Sequence, residues 1–198
     1  MSEIDRRKFN ALLAGAGLAS AASGFGPRKV EPEILRFEPS EGIPNNGRLP
    51  VLLYRDVFGV QTSDPADYEA HFERNGWPPQ WRNGVYSFHH YHATAHEVLA
   101  FAVGHARLLL GGPGGKEVTV SSGDVALLPA GTGHRRLEAS NDFLVIGAYP
   151  PGQHPDIQRG AVTPELERKI AAVAIPKTDP VLGKAGPYLK HWLGEEKK

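Results

Sequence analysis

His90 and His92 stand two residues apart, Glu97 follows after a four-residue connection, and His134 comes directly after a Pro-Ala-Gly-Thr-Gly turn at 129–133. In an extended chain side chains alternate faces, so His90 and His92 share one side with Tyr86 and Phe88, and His89 and Tyr91 take the other. A neighbouring strand starting near 97 can bring the carboxylate beside the two imidazoles. The turn before His134 can fix where a further strand starts and so deliver a third. Three neutral imidazoles and one carboxylate suit a borderline divalent ion. In a six-coordinate shell they leave positions open for water, dioxygen or substrate. The chain has nine His and no Cys, which excludes thiolate zinc sites, iron–sulfur clusters, disulfides and cysteine nucleophiles. The competing reading of the same residues is a set of packed polar side chains that holds no ion.

The elements that must carry these residues are short. From Gly84 to Tyr149 the chain is a series of extended runs, VYSFHHYH, HEVLAFAV, HARLLLGG, KEVTVSS, DVALLP, HRRLEA and DFLVIGAYP, several joined by Gly-rich turns. With 23 Gly and 17 Pro in 198 residues, both counts exceed ordinary usage. Regular short strands with turn signals indicate an antiparallel sandwich or barrel. GGPGG at 111–115 has no following Lys-Ser/Thr and is a hairpin loop, not a phosphate cradle. EILRF (33–37) and LPVLLYRDVF (49–58) are further strand candidates. Asp64 as N-cap, Pro65 and a closing Gly76 predict a short helix packed through Tyr68 and Phe72. Thr163-Pro164 predicts a second one over 164–170. Residues 77–81 read as a Pro-interrupted loop, 171–176 as a returning strand, and 179–192 as an irregular surface wrap. His71 reads as a solvated helix residue, His89 and His105 as outward-facing. His96 reads as a residue behind the site or at the surface, and His154 and His191 have nothing to pair them to a site.

GVYSFHHYHATAHEVLAFAVG (84–104) and GDVALLPAGTGH (123–134) resemble the two cupin motifs. The first is Gly84, five residues, His90-x-His92, four residues, Glu97, six residues, Gly104. The second is Gly123, five residues, Pro129-x-Gly131, two residues, His134. Glu138 stands where the second motif often has Asn, a position that holds no metal in the family. HYHATAHEVLAF, DFLVIGAYPPG and DPVLGKAGPYLKHW are similar to the YjlB-like cupin subfamily over residues 33–193. The resemblance implies an all-β double-stranded β-helix, the cupin jelly-roll barrel, with a few short peripheral helices. It implies metal roles for His90, His92, Glu97 and His134, and dimerisation through the barrel sheets.

The N-terminus carries an address. Arg6, Arg7 and Lys8 precede Ala11–Ala22, an Ala- and Gly-rich run ending in the A-x-A site Ala19-Ser20-Ala21. At about 1.5 Å per helical residue this run is too short for a bilayer core of about 30 Å. The order resembles a twin-arginine export signal, with Asp5 and Asn10 departing from the commonest pattern. The expected organisation is a signal over 1–21, a linker over 22–32 and one cupin domain over 33–198, with its metal-site core at 84–149. Localisation is then periplasmic or otherwise exported, or cytoplasmic if the signal does not function.

Lys plus Arg equals Asp plus Glu at 22 each, so no basic stripe recruits nucleic acid. The expected partner is a small molecule, with no nucleic acid, no stable membrane span and a homodimer as the implied assembly. Tyr86, Phe88, Leu99, Phe101 and Arg136 are pocket candidates, Tyr86 as a hydrogen-bond donor and Arg136 as an anion contact. The cofactor is one divalent transition metal ion, Mn, Fe, Ni or Zn. The leading function is a metal-dependent enzyme on a small organic molecule, in its most concrete form an oxygenase, with isomerase or decarboxylase chemistry also open. The alternative is a non-catalytic module that binds a small ligand or metal.

Overall fold

The computed structural model describes residues 25–59 and 64–194; the expected signal segment lies outside them. Among the described residues nine strands form two antiparallel sheets: β1 Glu33–Leu35, β2 Val51–Tyr54, β3 Pro79–Asn83, β4 Glu97–Val103, β5 His105–Leu110, β6 Lys116–Ser121, β7 Val125–Leu128, β8 His134–Ala139 and β9 Leu144–Ala148. The larger sheet has the order β1-β2-β7-β4-β9-β3 and the smaller β6-β5-β8. Helices α1 (Pro65–Arg74) and α2 (Pro164–Ala172) lie outside, with a π-helical turn at Leu189–Leu193. This is the double-stranded β-helix, a jelly-roll barrel.

Strand parity divides the larger sheet into two faces. Val51, Leu53, Leu99, Phe101, Ala126, Leu128 and Val145 face the smaller sheet and pack with Ala106, Leu108, Leu110, Val118 and Val120. The alternate residues Leu52, Tyr54, Val98, Ala100, Val125, Leu127, Ile146 and Ala148 pack outward under Tyr68, Phe72, Trp77, Val181, Tyr188 and Trp192. A sheet covered on both faces needs near-continuous apolar runs, which is why β4 reads EVLAFAV. In the smaller sheet β6 alternates exposed and buried residues, since one face meets water.

Helix α1 starts as its sequence predicts: Asp64 accepts from the Ala66 amide at 2.9 Å, with Pro65 in the first turn. Thr163 caps α2 in the same way. Five local readings are corrected. Of the loop expected over 77–81, residues 79–81 belong instead to an edge strand, Pro79–Asn83, paired with β9, with Pro79 at its first position, where no ladder amide is needed. Residues 171–176 make no strand, because α2 runs to Ala172. His71 is not solvated; it packs edge-on to Phe58 and its Nε2 lies 2.7 Å from the Val181 carbonyl. Residues 179–192 do not merely wrap the surface: Val181, Tyr188 and Trp192 are buried, and Trp192 donates to the Pro50 carbonyl at 2.9 Å. Residues 25–32, expected as linker, also pack, with Phe25 stacked on Phe58 at 4.7 Å.

Among the described residues no helix is long and apolar enough to cross a membrane.

Candidate metal centre

His90 and His92 do not lie on a regular strand. Each residue of this segment finds a different partner: His90 bridges His134, Tyr91 bridges Gln158, and the His92 carbonyl accepts from the Gly131 amide at 2.8 Å. The backbone is extended nonetheless, so the two imidazoles share a side. Glu97 is the first residue of β4 and has the inward parity of Leu99 and Phe101. His134 is the first residue of β8, opposite Leu110 of the smaller sheet. The site therefore closes one end of the barrel with groups from both sheets.

The turn before His134 is fixed from three directions. Gly131 has φ +90, and a Cβ there would lie 2.7 Å from the Asn45 carbonyl oxygen. The Asn45 side-chain oxygen accepts from the Gly133 amide at 3.1 Å, and Nδ1 of His96 accepts from the Ala130 amide at 2.9 Å. His96 is buried behind the sheet, its ring against Trp192 at 4.8 Å. Burial pushes it down to about 3, so it stays neutral and keeps this acceptor.

Each of the three site imidazoles is oriented by a backbone carbonyl. Nδ1 of His90 faces the Phe88 carbonyl at 3.3 Å, Nδ1 of His134 the Thr132 carbonyl at 3.0 Å, and Nδ1 of His92 the carbonyl of Asp156. A carbonyl only accepts, so Nδ1 carries the proton and Nε2 keeps a lone pair. One ring nitrogen from each of the three lies within 4.8 Å of the others. Nε2 of His92 is 3.4 Å from Glu97 Oε1, and Nε2 of His134 is 3.3 Å from Glu97 Oε2. Yet His92 Nε2 and Glu97 Oε2 are buried and complete no hydrogen bond. Burial, reinforced by the other two imidazoles, pushes His90 down to about 3. Burial opposes ionisation of Glu97, but His92 and His134 outweigh it and hold the carboxyl well below its usual range. Burial likewise opposes charging His92, and Glu97 outweighs it and raises the group. One buried negative charge therefore needs a positive partner, which either a proton on His92 or a metal cation can be. Orphaned nitrogen and oxygen atoms that converge on one point fit a divalent cation.

The site opens into a cavity of about 300 Å³. Of the five pocket candidates, Tyr86 and Leu99 border it. Tyr86 is 46% exposed at the mouth, stacked on Phe88 at 4.7 Å. Phe88 stays behind it, with the Arg159 guanidinium 4.0 Å over its ring. Phe101 is not a wall of the cavity: two residues deeper than Leu99, it packs against Phe143 at 6.1 Å. Arg136 does not border the cavity either; it is half-buried opposite Leu108, with its amide bonded to the Tyr86 carbonyl.

Three residues were missed. The phenol beside the carboxylate is Tyr149, whose hydroxyl donates to Glu97 Oε1 at 2.7 Å. Trp81 Nε1 donates to that hydroxyl at 2.8 Å. Asp156 supplies the carbonyl that orients His92, while its carboxylate accepts from the Ala93 amide at 2.7 Å and the Thr94 hydroxyl at 2.9 Å. Parity along β9 could have found Tyr149, since Val145, Gly147 and Tyr149 share the inner face; nothing local marks Asp156.

A jelly-roll barrel that closes one end around histidines and a glutamate from both sheets has the cupin fold. No family model matches the chain. It is 36% identical over 160 residues to the protein YjlB of Bacillus subtilis (strain 168), a match spanning 79% of this chain and 94% of that one, and it belongs to the YjlB family. Solved structures that align include a DUF861-family protein from Thermotoga maritima, at 22% identity and TM-score 0.30, covering 44% of this chain and 92% of that one. Oxalate decarboxylase from Bacillus subtilis aligns at 17% identity and TM-score 0.32, covering 74% and 37%.

Proposed function

We propose that this protein is a metal-dependent cupin enzyme that acts on a small organic molecule, most concretely as an oxygenase. The observation that supports this reading is the convergence of His90, His92 and His134, with Glu97 beside the last two and orphaned buried atoms, at the inner end of a cavity open to solvent. These four residues would hold the ion. A bound divalent ion, Mn, Fe, Ni or Zn, would supply Lewis acidity and, if redox-active, a route to dioxygen. The chain supplies the rest. Val85, Leu99, Pro155 and Ile157 make an apolar wall that desolvates and orients a small molecule. Tyr149 keeps its proton, because burial raises the phenol and Glu97 adds to it.

A second reading rests on what the lining lacks. Among the described residues it contains no Lys, Arg or Asp, and the Tyr149 hydroxyl is already committed to Glu97. With Tyr86 at the mouth as the one phenol of the lining not bonded to Glu97, the same site also suits a non-catalytic module that binds a ligand or stores metal. Protein purified without chelators, assayed for metal content and then for oxygen uptake with candidate substrates, separates these readings. Stoichiometric metal with turnover supports the enzyme, metal without turnover the module, and a trace of metal only refutes the enzyme and the metal-storing module.

We propose further that Arg6-Arg7 and the run after them direct export after folding, which would load the metal first and favour Mn or Fe. Intact-mass measurement of the mature chain tests the expected cleavage after Ala21.

A further inference from the structure

We propose that Tyr149, held by Trp81, is a positioning residue that decides which oxygen of Glu97 is offered to the ion. This rests on the metal reading above and deepens it. The three residues sit on neighbouring strands in the order β3, β9, β4: Trp81 in β3, Tyr149 just past β9, Glu97 opening β4.

The direction of the relay is fixed by chemistry. An indole N–H can only donate, so at 2.8 Å the Tyr149 oxygen accepts from Trp81. The phenol has one hydrogen, and at 2.7 Å it goes to Glu97 Oε1. Oε1 is thus engaged by a charge-assisted hydrogen bond, while Oε2 is buried with no donor. The two oxygens of one carboxylate are inequivalent because of groups 52 and 16 residues away in sequence. The Trp81 indole can reach Tyr149 because residue 147 is glycine: a Cβ there would lie 2.0 Å from the Trp81 ring. The Tyr149 ring also stands edge-on to His92 at 5.9 Å, so it cannot drift without disturbing a second ligand candidate. So held, Glu97 would offer Oε2 to an ion, with Oε1 kept by Tyr149.

The test uses the full chain as wild type, Tyr149→Phe and Trp81→Phe, each titrated with Zn²⁺ and Mn²⁺. Infrared difference spectra between loaded and metal-free protein read the carboxylate, with Glu97→Gln to assign its bands. The separation of symmetric and antisymmetric stretches is wide when one oxygen binds and narrow when both do. Wild type should show the wide separation and Tyr149→Phe a narrower one. Zn²⁺ affinity, from competition with a chromophoric chelator, should fall by about tenfold or more. Trp81→Phe should move both readouts the same way by less. A merely structural hydroxyl would change the melting temperature and leave the bands in place. If Tyr149→Phe does not fold, unchanged bands in Trp81→Phe overturn the proposal. A narrow separation in wild type, or identical bands in wild type and Tyr149→Phe, also overturns it. If wild type binds neither ion, the metal reading itself falls; if it binds and Tyr149→Phe matches it, only the role of Tyr149 falls.

Discussion

His96 and Glu97 are adjacent in sequence and act on opposite faces of the same sheet. Glu97 turns inward to His92 and His134, while His96 turns outward, accepts from the Ala130 amide at 2.9 Å and packs on Trp192. One strand start therefore holds both a ligand candidate and the acceptor that anchors the turn preceding another. His96→Ala should leave the Ala130 amide unpaired and cost about 1–3 kcal/mol of stability. It should also weaken metal binding, because the turn that presents His134 loosens. Calorimetric titration with Zn²⁺ on the folded variant checks this; unchanged affinity would refute the link.

Asp156 is the corresponding anchor for His92. Its carboxylate fastens the 93–94 backbone, and its own carbonyl faces His92 Nδ1. Asp156→Ala should release this loop and lower metal affinity by about 10–100-fold. Asp156→Asn, which keeps an acceptor oxygen, should lose much less. Chelator competition on both variants gives the comparison.

Phe101 belongs to the barrel core. Phe101→Ala should cost about 3–5 kcal/mol in urea unfolding, through lost burial and the cavity left behind. Metal affinity of the folded protein should stay unchanged. A selective loss of metal binding with normal stability would return Phe101 to the site.

Gly147 and Trp81 are coupled by contact. Gly147→Ala forces the indole away and should cost about 1–3 kcal/mol. In Trp81→Ala the same change should cost much less, a coupling of about 0.5–3 kcal/mol in a double-mutant cycle. Additive effects would show that the ring moves aside freely.

Asp179 gives the protein a pH-dependent weakness. It accepts from the Tyr54 hydroxyl and from the Val181 amide, each at 2.7 Å, with Tyr188 nearby. Burial still pushes its carboxyl from 3.8 up to about 6. The phenols facing it are raised as well and remain protonated. The folded state thus binds this proton more tightly than the unfolded chain. Its contribution is complete below the unfolded value and is lost as pH rises through about 6, on the order of 3 kcal/mol in all. The stability difference between Asp179→Asn and wild type should therefore shift toward the variant between about pH 4 and pH 7. Urea midpoints measured in parallel decide it; a constant difference would count against a raised Asp179.

What the sequence made legible were relations that local rules carry. The faces of His90, His92, Glu97 and His134 follow from two-residue periodicity and one glycine turn, and the caps of both helices from Asp64, Pro65, Thr163 and Pro164. Parity holds for His90 and His92 even though their segment pairs residue by residue instead of as a ladder. The parts that escaped depend on distant partners. Trp81 was hidden by Pro78-Pro79, which reads as loop although an edge strand tolerates it. Asp156 lies in a loop more than sixty residues from the histidine it orients. His71, Tyr188 and Trp192 have polar or irregular neighbours, and only the outer face of the larger sheet explains their burial.

That outer face has a consequence for synthesis. Val181, Tyr188 and Trp192, which cover Leu52, Val98 and Leu127, are translated after every strand of the barrel. A nascent chain stopped after β9 would have all its metal-binding candidates and the cover of Tyr68, Phe72 and Trp77, and still leave the part of the outer face under Val181, Tyr188 and Trp192 bare. Such a species is prone to aggregation and attractive to chaperones. That part of the face is covered only once the turn at Leu189–Leu193 arrives, so the step that covers the sheet comes well after the strands that carry the ligand candidates.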